Sequence, residues 1–128
     1  MEPLQIPSTQ NQVPDVELDP DAGVLTFAGQ CYMDNADKFF DPIFNWLEEF
    51  LDVYDQDILF EMQLEYFNTS SAKCLWEIFM RLERYQKEKG ATAIVQWYFE
   101  EDDENTWDLF EDFKAEVAIK FVHVDELP

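Results

Sequence analysis

The spacing of apolar and polar positions changes several times along this 128-residue chain. Three short apolar runs near its start are separated by turn-forming residues, which is typical of strands: Leu4–Ile6, Val16–Leu18 and Val24–Gly29. The polar segment from Pro7 to Pro14 is bounded by prolines and predicts a loop between the first two strands. These pieces together predict a hairpin at the start of the domain.

Between Asn35 and Leu51 the apolar residues recur three or four positions apart, with acidic residues between them. This spacing predicts an amphipathic helix with one apolar face. Pro42 lies inside the pattern, and proline is tolerated only in the first turn of a helix. We therefore expect the regular helix to begin near Asp41.

After this helix, strands and helices alternate. Ile58–Phe67 alternates apolar and polar residues and predicts a strand, and the run Asn68-Thr69-Ser70-Ser71 is typical of a helix N-terminus. The second helix that begins there has Gly90 as its C-terminal stop. The remaining pattern predicts a strand, a third helix and a last strand: Ala93–Phe99, Asn105–Glu116 and Ala118–Val124.

The element order β-β-β-α-β-α-β-α-β predicts a single α/β domain over residues 1–128, with a mixed sheet and three main helices. Because Ala93–Phe99 is almost continuously apolar, we expect this strand to be central and buried on both faces. The order resembles that of the STAS domain, the small regulatory fold of anti-sigma-factor antagonists. This likeness is topological and supplies no function.

The charge excludes several classes of function. The chain has 29 acidic and 8 basic residues, a formal net charge of -21, so direct binding to nucleic acid or to an anionic membrane is not expected. With 47% hydrophobic residues, the chain is too apolar for a disordered acidic tail. It has no run of about 18 apolar residues and no signal-peptide pattern, so we expect a cytoplasmic protein.

The chemistry-bearing residues do not form a catalytic motif. Cys31 and Cys74 are expected to be buried thiols rather than a disulfide, and the only histidine, His123, has no partner motif. The acidic run Glu100–Glu104 lacks the alternating ligands and central glycine of a calcium loop. We therefore expect a non-enzymatic protein without a metal or a cofactor.

The hydroxyl cluster after the strand Ile58–Phe67 is open to two interpretations. Asn68 or a serine could simply cap the helix, with the other residues filling its first turn. Alternatively, Thr69, Ser70 or Ser71 could accept a phosphate, which the free helix N–H groups would stabilise. Lys73, one turn into the helix, could add a charge contact.

The second helix also has an unusual charge. It holds five of the eight basic residues: Lys73, Arg81, Arg84, Lys87 and Lys89. Basic residues near a helix C-terminus complement the helix dipole, which explains most of the cluster. A mixed-charge face that binds a partner is the alternative.

The tract L-E-Y-F-N-T-S-S-A-K-C-L at Leu64–Leu75, the chain length and the element order are similar to those of the SiaC family. These are small acidic regulatory phosphoproteins of bacteria, encoded with biofilm and aggregation genes. The resemblance covers essentially the whole chain. It implies that Thr69 is the regulatory phosphorylation site and that Asn68, Ser70, Ser71 and Lys73 surround it and contact the partner.

The resemblance further implies a switch in place of a catalyst. In the family, the unphosphorylated protein binds a diguanylate cyclase and stimulates synthesis of cyclic di-GMP. A cognate serine/threonine kinase phosphorylates the threonine and blocks this interaction, and a PP2C-type phosphatase restores it. Two alternatives remain from the residues alone: a STAS-type antagonist of an anti-sigma kinase, and an acidic DNA mimic motivated by the net charge.

Overall fold

A computed structural model describes residues 1–8 and 13–125, apart from the side chain of Tyr66. Within these residues the chain forms six strands and three helices: β1 (Leu4–Ile6), β2 (Asp15–Asp19), β3 (Val24–Cys31), α1 (Ala36–Val53), β4 (Ile58–Phe67), α2 (Thr69–Lys89), β5 (Ala93–Tyr98), α3 (Glu104–Glu116) and β6 (Lys120–Val124). The predicted element order is confirmed. The middle of the predicted loop between Pro7 and Pro14 lies outside the described residues.

The six strands form one mixed sheet whose spatial order is the order of the sequence, from β1 to β6. The pairs β1–β2 and β2–β3 are antiparallel, and the three later pairs are parallel. Right-handed crossovers between successive neighbours place all connecting helices on the same face of the sheet. The likeness to the STAS fold, drawn from element order, stays a prediction.

Burial along the strands shows that only one face of the sheet is covered. In β5, Ala93, Val95 and Trp97 are buried, whereas the residues between them are half-buried. The predicted burial of this strand on both faces is therefore wrong. The strand is interior, as predicted, because it pairs with β4 on one side and with β6 on the other. A sheet that never reverses its strand order receives helices on one side only.

The core between sheet and helices is rich in aromatic rings. Phe60 of β4 stacks on Phe27 of β3 at 5.1 Å and meets Phe79 of α2 edge-on at 5.6 Å. Trp97 of β5 packs against Phe113 of α3 at 5.9 Å. Each fully buried ring of this kind contributes about 1.5–3 kcal/mol through removal of apolar surface from water. The rings fix how α2 lies on the sheet.

Helix α1 begins at Ala36, so the predicted start near Asp41 is wrong, and Pro42 lies in its second turn. The Asn35 side chain accepts a hydrogen bond from the Lys38 N–H at 3.2 Å and caps the earlier start. Proline at 42 removes the bond to the Lys38 carbonyl, but both residues are exposed and water can bind that carbonyl. Burial of Ala36 and Phe40 favours the extra turn.

The last strand begins at Lys120, two residues later than predicted. The backbone of Ala118 is instead held by side chains of α2. Its N–H donates to a Glu83 carboxylate oxygen at 2.6 Å, and its carbonyl accepts from the Gln86 amide at 3.0 Å. These bonds replace those of a neighbouring strand at this position.

Candidate functional site

The hydroxyl cluster lies at the edge of the sheet where the parallel strands end. Strand β4 ends at Phe67 beside Cys31, the last residue of β3, and α2 begins two residues after Phe67. The loop from β3 to α1 passes the start of α2 at the same edge. This edge therefore brings the hydroxyl cluster and the loop after β3 together.

Asn68 holds this junction together. Its side-chain oxygen accepts from the Ser71 N–H at 3.0 Å and caps α2, so Asn68 is the cap of the two kinds that the sequence allows. Its side-chain amide donates to the Met33 carbonyl at 3.0 Å, and its backbone N–H donates to the Cys31 carbonyl at 3.2 Å. One residue therefore joins the start of α2 to the loop that follows β3.

The three adjacent hydroxyls differ in exposure. Thr69 and Ser70 are exposed, whereas Ser71 is fully buried and its hydroxyl donates to the Met33 sulfur at 3.6 Å. Sequence analysis grouped all three as candidate acceptors. The helical spacing could have separated them, because Ser71 precedes the buried residues Cys74 and Leu75 by three and four positions.

The first turn of α2 can receive an anion beside Thr69. Asn68 satisfies the N–H groups of Ser71 and Ala72, through its side chain and its carbonyl. The N–H groups of Thr69 and Ser70 have no hydrogen-bond partner in the described part of the chain, as expected for a first turn. Lys73 is exposed, follows Thr69 by four residues and forms no ion pair within residues 1–8 and 13–125.

Two buried thiols lie behind the junction. Cys31 and Cys74 are both free, which confirms the prediction that they do not form a disulfide. Burial raises the pKa of Cys31 to about 11, and burial together with the neighbouring Asp37 carboxylate raises the pKa of Cys74 to about 12. Both thiols are neutral near pH 7 and are poor nucleophiles, so their role here is packing.

Other candidate groups lie away from this junction. His123 has a ring nitrogen 2.8 Å from the Phe99 carbonyl and packs on the rings of Phe99 and Trp107. In the described residues, no three His, Cys, Asp or Glu side chains are placed to hold a metal ion. No helix among the described elements is long and apolar enough to span a membrane.

The basic residues of α2 divide into three groups. Arg81 lies over the Phe44 ring at 4.5 Å and Lys89 donates to the Asp52 carbonyl, so both join α2 to α1. Lys87 forms an ion pair with Glu83 at 3.7 Å. Lys73 and Arg84 are exposed and form no ion pair within the described chain. Sequence analysis missed Trp76, which is exposed on the same helix.

Comparisons with known proteins agree with the element order. The family model described as SiaC family regulatory phosphoprotein matches residues 6–126. An uncharacterized protein of Pseudomonas aeruginosa strain UCBPP-PA14 is 30% identical over 121 residues, which cover 94% of each chain.

Solved structures of SiaC from Pseudomonas aeruginosa share the fold. Apo-SiaC superposes with a TM-score of 0.86 at 28% identity, over 96% of this chain and 98% of that one. SiaC in complex with the diguanylate cyclase SiaD, which it activates, gives a TM-score of 0.88 at 26% identity, over 96% and 99%. The family model and the relatives thus cover nearly the whole chain, and the protein belongs to the SiaC family of regulatory phosphoproteins.

Proposed function

We propose that the protein is a non-enzymatic cytoplasmic regulator that binds and activates a diguanylate cyclase while it is unphosphorylated. Activation would promote synthesis of cyclic di-GMP and formation of biofilms or aggregates. The observation that carries the proposal is the match in fold, over 96% of the chain, to the SiaC chain bound to the cyclase SiaD.

The proposed control point is the Thr69 hydroxyl. A cognate serine/threonine kinase phosphorylates it, which blocks binding of the cyclase, and a PP2C-type phosphatase removes the phosphate. Thr69 is exposed at the first turn of α2, next to free N–H groups and one turn before Lys73. The burial of Ser71 argues against that residue as the acceptor.

The block has a direct electrostatic cause. A phosphothreonine carries about -1.5 to -2 charges near pH 7. Burial of such a group against a partner that offers it no hydrogen bond or cation costs several kcal/mol. Because the protein already has a net charge of -21, the total charge changes little. The effect on binding is therefore local to the Thr69 surface.

Substitutions at Thr69 test the switch. The purified protein is mixed with the diguanylate cyclase of the same organism, and cyclic di-GMP formation and binding affinity are measured with and without the kinase. We expect Thr69→Ala to activate the cyclase and to be insensitive to the kinase. We expect Thr69→Asp to weaken binding at least about tenfold, which corresponds to about 1.4 kcal/mol.

Ser70→Ala is the matched control, because Ser70 is the neighbouring exposed hydroxyl. This variant should activate the cyclase and should still be phosphorylated on Thr69, as mass spectrometry of the modified peptide would show. Phosphate found on Ser70 alone would refute the choice of Thr69. Failure of the native unphosphorylated protein to bind or stimulate any cyclase would refute the function itself. If a pull-down with this protein then recovers a sigma-regulatory kinase, the STAS-type antagonist becomes the favoured function.

A further inference from the structure

The outward face of α2 carries an exposed tryptophan. Of the four tryptophans, all of which are described, Trp76 alone is exposed, with 37% of its surface open. The indole N–H groups of Trp46 and Trp107 donate to backbone carbonyls. That of Trp76 has no hydrogen-bond partner within the described residues. Exposed tryptophan with a free N–H is typical of binding surfaces, where it supplies both apolar area and a donor.

Helical geometry places Trp76 in line with Thr69. At about 100° per residue, Trp76, Met80 and Lys87 project within about 20° of the direction of Thr69, with Lys73 and Arg84 beside them. The buried residues of α2, such as Ile78 and Leu82, lie on the opposite side of the helix. We name these six outward residues the α2 stripe: Thr69, Lys73, Trp76, Met80, Arg84 and Lys87.

The α2 stripe is a basic surface between two acidic ones. Helix α2 has five basic and three acidic residues, whereas α1 and α3 each have one basic and five acidic residues. A cleft of about 420 Å³ runs along the middle of the stripe. Trp76, Met80, Arg81, Arg84 and Lys87 line it, together with Glu77 and Glu83. The surface thus combines apolar anchors with cations.

We propose that the α2 stripe is the surface on which the diguanylate cyclase docks, a step that rests on the proposed function. The complementary segment of the cyclase carries a large apolar side chain that packs on Trp76 and Met80, and carboxylates that pair with Arg84 and Lys87. Charge complementarity of this kind sets the register and the specificity of an interface.

This placement explains how one phosphate could block docking without a change of fold. Thr69 precedes Trp76 by seven residues, or about 10 Å along the helix axis. A phosphate on Thr69 lies at one end of the stripe. A partner side chain that packs on Trp76 would remove water from the phosphate, which is costly where the partner offers it no hydrogen bond or cation. The phosphosite and the docking surface are therefore one continuous face.

Two substitutions on the stripe and two matched controls test the proposal. Binding to the cyclase is measured by titration of unphosphorylated native protein, Trp76→Ala, Arg84→Glu, Val53→Ala and Lys38→Glu. Val53 is an exposed apolar residue and Lys38 an exposed cation, both on α1. We expect Trp76→Ala and Arg84→Glu each to weaken binding at least tenfold, and each control to change it less than threefold. Circular dichroism melts verify that every variant is folded.

The outcomes separate this proposal from the proposed function. If native protein activates the cyclase while both stripe variants bind within threefold of it, the docking surface lies elsewhere and the function stands. If the native protein does not bind the cyclase, the function fails first. If Trp76→Ala keeps cyclase binding but is no longer phosphorylated by the kinase, the stripe binds the kinase and the proposal is overturned. If it keeps cyclase binding but no longer self-associates, the stripe binds a second copy of the chain, and the proposal is again overturned.

Discussion

At the scale of single residues, Asn68 combines a helix cap with a tether. Its amide group both accepts from the Ser71 N–H and donates to the Met33 carbonyl. Loss of an N-cap side chain costs about 0.5–2 kcal/mol, and a partly buried carbonyl left without its donor adds to that cost. The position of Thr69 beside the loop after β3 therefore depends on its neighbour.

We expect Asn68→Ala to lower the free energy of unfolding by about 1–2 kcal/mol, because it removes both hydrogen bonds. The measurement is the urea midpoint of the purified protein. Asn45→Ala is the matched control, since Asn45 is exposed in the middle of α1, and a change within about 0.5 kcal/mol is expected there. Equal midpoints for the two variants would show that the tether contributes nothing.

The candidate site was only partly predictable at this scale. The sequence indicated a cap at Asn68 or at a serine, because short polar side chains compete for free helix N–H groups, and Asn68 is the cap. The burial of Ser71 follows from the apolar side of α2, but its bond to Met33 joins residues 38 positions apart. Local patterns do not reveal a contact between such distant segments.

At the scale of elements, two glycines lie at element boundaries. They have the same left-handed backbone conformation. Gly23, between β2 and β3, has φ of 70°, and Gly90, which ends α2, has φ of 71°. In this left-handed conformation, a residue with a side chain is less stable than glycine by roughly 1–2 kcal/mol. A Cβ at Gly23 would also overlap the Tyr54 ring, whereas a Cβ at Gly90 would meet no atom within 4 Å.

We therefore expect Gly90→Ala to cost about 1 kcal/mol in unfolding free energy and Gly23→Ala to cost clearly more. Urea denaturation of both variants provides the comparison, with Gly90→Ala as the control for backbone strain alone. In a Tyr54→Ala background, which itself loses the stacking on Phe50, Gly23→Ala should cost only about as much as Gly90→Ala. Equal costs for the two single variants would mean that Tyr54 moves aside freely.

Element boundaries were predictable where a local signal decides them and were wrong where packing decides them. Gly90 ends α2 as predicted, because the left-handed conformation it adopts favours glycine. The start of α1 was misplaced, since burial of Ala36 and Phe40 outweighs the backbone bond lost at Pro42. The apolar run in β5 wrongly predicted burial on both faces, because the pattern does not reveal how many helices cover a sheet.

At the scale of the whole molecule, repulsion among acidic groups opposes folding. Between the described residues only two salt bridges form, Arg81 with Glu48 and Lys87 with Glu83. Most of the 29 acidic side chains therefore have no cation beside them. A net charge far from zero keeps a protein soluble but destabilises its compact state through self-repulsion.

We expect the melting temperature to rise by a few degrees between about 10 mM and about 150 mM sodium chloride, because the screening length falls from ~30 Å to ~8 Å. A gain of about 1 kcal/mol corresponds to roughly 2–8 °C for a domain of this size range. Choline chloride at equal ionic strength is the control. A rise with sodium alone would indicate bound ions in place of screening.

The order of the strands also affects how the chain folds. Because spatial order equals sequence order, each new strand adds beside the strand that preceded it along the chain. No strand has to be inserted between two that already pair, and no β-pairing spans the whole chain. Pairing between successive strands keeps the β contacts closer in sequence than pairing between the two ends of the chain would, and N-terminal parts fold first during synthesis. The sheet can therefore grow one strand–helix unit at a time as the ribosome releases the chain.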